Sequence, residues 1–231
     1  MESCLEIHYR YDFSDGRGEE FAVLLDTDTL TWIGEKPFNP PHWTKLEHEQ
    51  CTNCPFTPEK TPYCPIAINM FHIVERFKEF FSYEDVDVTV TTEERIYRKQ
   101  TSLQQGLSSL IGIIMVSSGC PRMEKLKPMV RFHLPFASLE ETVYRTVAMY
   151  LVSQYYLNKS GVSPDLELTG LEELYGAVGE VNTCFANRLR EAAKKDANLN
   201  ALVNLHCFAE MVPLSAEEML EQIKGHFSAF F

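Results

Sequence analysis

Leu5-Glu6-Ile7-His8-Tyr9-Arg10-Tyr11-Asp12-Phe13 decides how the chain begins to fold. Every odd position is apolar or aromatic and every even one is polar, the two-residue period of a strand with one face buried. Ser14-Asp15-Gly16-Arg17-Gly18 turns the chain, and Phe21 to Leu25 returns as a second apolar run that stops at Asp26-Thr27-Asp28-Thr29, which predicts a hairpin. Val86, Val88 and Val90 mark a third strand, and Ile96 and Tyr97 a fourth with a weaker pattern. Farther along, the period changes to helical. Ala67 to Phe81 reads as one helix, and Ser102 to Ser117 as a second, nearly uncharged one whose Gly106, Ser109 and Gly112 allow a neighbouring backbone to come close. Ser102 with Gln105, Ser138 with Glu141, Thr169 with Glu172 and Ser215 with Glu218 have the spacing of capping boxes. They predict helices from 102 to 117, from 138 to about 158 with Gly161 closing it, from 169 to about 195, and from 215 onward. A further helix is expected from Asn198 to Met211, and Leu171, Leu174, Val178, Val181, Phe185 and Leu189 form one apolar stripe.

The pattern predicts an α+β fold, a small antiparallel N-terminal sheet with a Cys/Pro-rich loop packed on a C-terminal helical, bundle-like half. Residues 1–135 form the β-rich region with the loop and the buried helix, and residues 136–231 the helical region, the two expected to behave as one cooperative unit. With 231 residues and 45% hydrophobic side chains, the chain can bury a sizeable core. Its formal net charge of -12 repels phosphate backbones and anionic surfaces, which argues against nucleic-acid and membrane partners. The first ten residues lack the apolar core of an export signal, and Leu110 to Val116 is far shorter than the roughly 20 residues of a membrane span. A cytoplasmic location is expected.

Lys36 to Pro65 holds seven of the twelve prolines, at 37, 40, 41, 55, 58, 62 and 65, and so predicts irregular backbone. A loop of that length needs something besides apolar burial to hold it. It carries Cys51, Cys54 and Cys64, three of seven cysteines, and Cys120 follows the buried helix in Ser117-Ser118-Gly119-Cys120-Pro121. Cys51 and Cys54 are a C-x2-C pair, whose spacing lets both sulfurs face one ion, and nine residues separate Cys54 from Cys64. In a reducing compartment, clustered thiols point to metal rather than to disulfides. A metal site of Cys51, Cys54, Cys64 and Cys120 is therefore expected. Zinc is favoured because a closed structural ion supplies folding energy to a loop with little core. A 4Fe-4S cluster is the alternative, since proline after cysteine also occurs at such clusters. His48 could replace one sulfur. A thioredoxin-like pair lacks its βαβ setting. Cys184 and Cys207 read as core packing, and Cys4 as a strand residue without a role.

Arg122, Lys125, Lys127, Arg131 and His133 follow Cys120 as a basic patch. It reads either as an anion pocket beside the cysteines or as a counterweight to the acidic remainder. No P-loop, G-x-S-x-G, H-E-x-x-H or complete dinucleotide loop is present, so no catalytic residue is assigned. Asp26 and Asp28 are a turn rather than a calcium loop, because Leu30 breaks the pattern.

The strings Cys51-Thr52-Asn53-Cys54-Pro55, Tyr63-Cys64-Pro65, Thr101 to Ser109 (TSLQQGLSS), Ser118-Gly119-Cys120-Pro121 and Arg131 to Phe136 (RFHLPF) carry a resemblance. The chain resembles, over nearly its whole length, an uncharacterised bacterial family, a domain of unknown function. The resemblance implies a bacterial origin and no activity. The expectation is a zinc-stabilised protein that acts by binding a protein partner or a small anionic ligand. The alternatives are a thiol redox or iron-sulfur protein using the same cysteines, with the basic patch holding an anion, and a homodimeric sensor.

Overall fold

The computed structural model describes residues 4–231. Strand β1 (Cys4–Phe13) pairs with β2 (Gly18–Asp26) on one side and with β3 (Asp85–Thr91) on the other, and β4 (Ile96–Ser102) closes the sheet in the order β2-β1-β3-β4. All three pairings are antiparallel. The alternation in β1 turns Leu5, Ile7, Tyr9, Tyr11 and Phe13 to the buried face and leaves Glu6, His8 and Arg10 in water. Asp26 fixes the turn after β2, its carboxylate accepting from the backbone N–H and hydroxyl of Thr29.

Helices α1 (Pro65–Phe77) and α2 (Leu103–Ser117) connect the sheet to the helical half. The buried face of α2 runs nearly all round it, as its lack of charge predicts. Gly106 sits so close to the sheet that a Cβ there would lie 2.8 Å from Val88 Cγ2. The short α3 (Lys127–Arg131) leads into α4 (Leu139–Lys159), α5 (Thr169–Ala192) and α6 (Ala197–Ile223). One cluster of buried side chains extends from Leu5 in β1 to Ala216 in α6. No described helix is long and apolar enough to cross a membrane.

Residues 36–65 are largely irregular, with one 3-10 turn at His42–Thr44 and an isolated bridge between Lys45 and Tyr63. The capping predictions fare unequally. Ser138 and Glu141 form the full reciprocal box, and Gly161 follows the helix with a φ of +85°. Helix α2 starts where Ser102 predicts, but its first N–H groups are met by the carbonyls of Glu84 and Ser82, and Gln105 accepts from Thr101 instead. At α5 the residue before the helix is Leu168, with φ +61°, and Asp165 accepts from the N–H of Gly170 in place of Thr169. The helices expected from 198 and from 215 are one continuous α6, with Pro213 inside it. Burial of Val212 and Ala216 on either side holds the helix through the hydrogen bond that proline removes.

Candidate functional site

The four predicted cysteines approach one another from three segments. Cys51 and Cys54 are joined by a turn closed by the Cys54 N–H on the Cys51 carbonyl, 3.0 Å. Cys64 is the N-cap of α1, with Pro65 in the first turn, and its N–H donates to the Thr44 carbonyl at 2.9 Å. Its sulfur accepts from the N–H groups of Ile66 and Ala67. The Cys120 sulfur accepts in the same way from Arg122 and Met123. In the Cys64-Pro65 and Cys120-Pro121 segments, then, the N–H groups two and three residues on turn toward the sulfur, an arrangement that favours thiolate. Burial opposes it: Cys51 is raised well above an ordinary thiol, and Cys120 is pushed up to about 11. Neighbouring thiols add to the effect, for Cys51 feels Cys184, Cys64 and Cys120, and Cys120 feels Cys64 and Cys54. No three of these sulfurs all lie within 4.8 Å of one another.

Three findings depart from the sequence reading. Cys184, expected in the core, projects from α5 to hydrogen-bond with Cys51 and lies 3.5 Å from Glu180 Oε1. Cys207, also expected there, is exposed. His48 faces Glu191 instead of the thiols, its Nε2 lying 2.9 Å from Oε2.

The loop bearing the C-x2-C pair is fastened to α5. Thr52 donates to Glu180 at 2.5 Å, Asn53 Nδ2 donates to the Ala177 carbonyl at 3.1 Å, and Arg122 Nε donates to the Asn53 carbonyl at 2.6 Å. About two turns further along α5, Arg188 is only 2% exposed and donates to the carbonyls of Trp43, Lys45 and Leu46. It thereby fixes the start of the same loop.

A second feature lies between α2, α3 and the three long helices, a cavity of about 490 Å³ within the range of small-molecule sites. Its walls are mainly apolar, with Ile113, Val116, Val130 and Phe208 among them, and a few polar groups converge on it. Arg145 donates to the carbonyls of Phe132 at 2.5 Å and Met129 at 3.3 Å, and Glu141 acts on it only from a distance. Burial lowers its pKa, the mark of a cation that its surroundings do not neutralise. Asn182 is 2% exposed and also lines the cavity, and no described residue hydrogen-bonds its side-chain amide.

His133 lines the same cavity, and burial lowers its pKa to about 3, so the ring is neutral at physiological pH. Its Nε2 lies 2.6 Å from the hydroxyl of the buried Tyr9, which is 3.2 Å from Ser109 Oγ, itself 3.3 Å from the Gly106 carbonyl. One arrangement of protons serves all three contacts. His133 Nε2–H donates to Tyr9, Tyr9 to Ser109, and Ser109 to the carbonyl, which leaves Nδ1 unprotonated.

The family model of a domain of unknown function, DUF6901, matches residues 7–228. The chain belongs to that family. No curated protein and no solved structure matches it. Because the DUF6901 match takes in nearly every element, the thiol cluster and the cavity both lie within the family's domain.

The basic run in this DUF6901 chain disperses. Arg122 holds the C-x2-C loop, Lys127 pairs with Glu124 at 3.2 Å, Arg131 stands 3.9 Å from Glu93, and His133 is buried and neutral. The cations at the cavity are instead Lys99 and Arg145, and the second of these the sequence reading did not single out. One signal was available for Arg188: it falls three residues after Phe185, on the apolar stripe of α5, where a charge needs dedicated partners.

Proposed function

We propose that this DUF6901 protein binds a small amphipathic anion in the cavity, and that Cys51, Cys54, Cys64 and Cys120 hold a structural zinc ion in the adjoining loop. The observation that carries the ligand reading is Arg145, a partly buried guanidinium without a carboxylate at ion-pair distance among the described residues, at the wall of an apolar cavity. An acidic head group on Arg145, with Lys99 also at the wall, and an apolar body along Ile113, Val116 and Phe208 would complement the cavity, whose own carboxylate, Glu141, accepts from the Ser138 N–H, and Asn182 offers a further hydrogen bond. Calorimetric titration with octanoate and with octanol tests this. Octanoate is expected to bind more tightly, and Arg145→Gln to lower its affinity by about tenfold or more while leaving octanol unchanged. Equal affinity of the two probes for the unaltered protein sinks the reading.

Support for the zinc reading comes from the convergence of the four thiols and from the paired N–H groups on Cys64 and Cys120. Elemental analysis is expected to find a zinc content that falls by one equivalent in Cys54→Ser and Cys120→Ser and is unchanged in Cys184→Ser. A brown protein containing iron would replace zinc with the 4Fe-4S cluster. A protein without metal that melts unchanged in the two serine variants would remove the site altogether.

A further inference from the structure

His42, His48 and Glu191 bring three ligand atoms within 4.8 Å of one another, from an N-terminal turn, the loop after it and the last turn of α5. His42 Nδ1 lies 3.7 Å from Glu191 Oε1, His48 Nε2 lies 2.9 Å from Oε2, and the two rings meet edge to face with centroids 5.0 Å apart. These separations straddle the roughly 3.3 Å expected between ligands on a tetrahedron with bonds of about 2.0–2.1 Å.

The directions of the atoms matter more than the distances. His48 Nε2 is shut off from water and has no hydrogen-bond partner, although a carboxylate oxygen stands 2.9 Å away. The two groups lie side by side instead of pointing at each other. A simple ion pair would align N–H and oxygen. Two ligands of one ion direct their lone pairs at a third point, which leaves the line between them poorly aligned for hydrogen bonding.

The three side chains are also held in place beforehand. Arg188 ties the carbonyls of Trp43, Lys45 and Leu46 to α5, between the two histidines in sequence, and Glu191 follows it by three residues on the same helical face. The histidine-bearing turn therefore cannot drift from the carboxylate without breaking buried hydrogen bonds. His48 is 16% exposed, while His42 and Glu191 are 61% and 50% exposed, so an ion can enter from solvent and keep water in a remaining position.

We infer that His42, His48 and Glu191 form a second metal site, a two-histidine, one-carboxylate centre for a first-row divalent cation such as Zn²⁺, separate from the thiols and clamping the proline-rich loop to the end of α5. Imidazole and carboxylate donors suit zinc and its neighbours, and they set this site apart from a sulfur one.

The test is titration of chelator-treated protein with Co²⁺, read by absorbance and calorimetry. The expected result is a site whose cobalt spectrum lacks sulfur-to-cobalt charge transfer, present in the unaltered protein and in Cys54→Ser. His48→Gln and Glu191→Gln are expected to abolish it, and His42→Asn, at an exposed position that leaves the core untouched, to weaken it about 10–100-fold or more. The inference is overturned if every bound cobalt shows sulfur charge transfer, or if the three variants bind with unchanged stoichiometry and affinity. A cobalt site without sulfur character that responds to His48→Gln in a protein lacking any thiol-bound metal would uphold this centre and reject the zinc–thiol reading.

Discussion

His133 carries its imidazole into an apolar wall, and the consequence is a pH dependence with a fixed sign. Its folded pKa of about 3 lies below the ordinary 6.5, so between those values the unfolded chain binds a proton that the folded chain refuses. Stability that is intact above pH 6.5 is lost progressively as pH falls toward 3. Carboxylates held low by hydrogen bonds, such as Asp26 and Asp165, act in the same direction but only below their ordinary value of 3.8. Urea midpoints measured from pH 7 to 4.5 are therefore expected to decline in the unaltered protein and to flatten in His133→Gln; parallel curves would contradict the burial argument. Arg188 is the other residue whose environment gives it weight. Arg188→Ala strands three carbonyls that a charged donor satisfies, and is expected to cost about 3 kcal/mol or more in denaturant unfolding. In the sequence His133 reads as one member of a basic patch and Arg188 as a charge on an apolar stripe, because what makes each important is a contact more than 100 positions away.

At the scale of elements, periodicity was informative and local chemistry less so. The alternation in β1 and the stripe of α5 read out their buried faces directly, since each is set by the geometry of one backbone. Three of the four capping boxes gave way to competing contacts: carbonyls at 82 and 84 occupy the N–H groups at the start of α2, Asp165 reaches forward to the Gly170 N–H at the start of α5, and burial beside Pro213 carries α6 through Ser215. The same competition between local propensity and packing gives opposite expectations for two helical glycines. Gly176 in α5 has nothing within 4 Å of an added Cβ, so Gly176→Ala should stabilise by about 0.5–1 kcal/mol through helix propensity alone. Gly106 in α2 offers the same propensity gain, but its added carbon would press on Val88 at 2.8 Å and on Tyr11 at 3.3 Å, both buried strand residues with little freedom. Overpacking costs about 1–3 kcal/mol, so Gly106→Ala should lower the thermal midpoint while Gly176→Ala raises it. Shifts of the same sign in the two variants would show that propensity governs both.

For the molecule as a whole, the question is whether the sheet and its cysteine loop can unfold apart from the long helices. The ties between them are polar as well as apolar. Arg188 grips the loop at 43–46, Thr52 and Asn53 bond to α5, and Asp196 accepts from both the backbone and the hydroxyl of Ser82. The Lys78 carbonyl accepts from the N–H groups of Lys194 and Lys195, closing the junction before α6. Opening this junction would expose a core that continues from one half into the other and would strand buried hydrogen-bonding groups on both sides, so partial unfolding should be costly. Both tryptophans, Trp32 and Trp43, lie in the N-terminal half, whereas four of the six α-helices, including the three longest, lie beyond residue 126. Tryptophan fluorescence and far-ultraviolet circular dichroism thus report mainly on different halves. In urea the two signals are expected to trace one transition with one midpoint, and Arg188→Ala to move both together. If fluorescence changes first and ellipticity follows at higher urea, the N-terminal half unfolds on its own, and the contacts at 43–53 hold the loop in place without coupling the two halves.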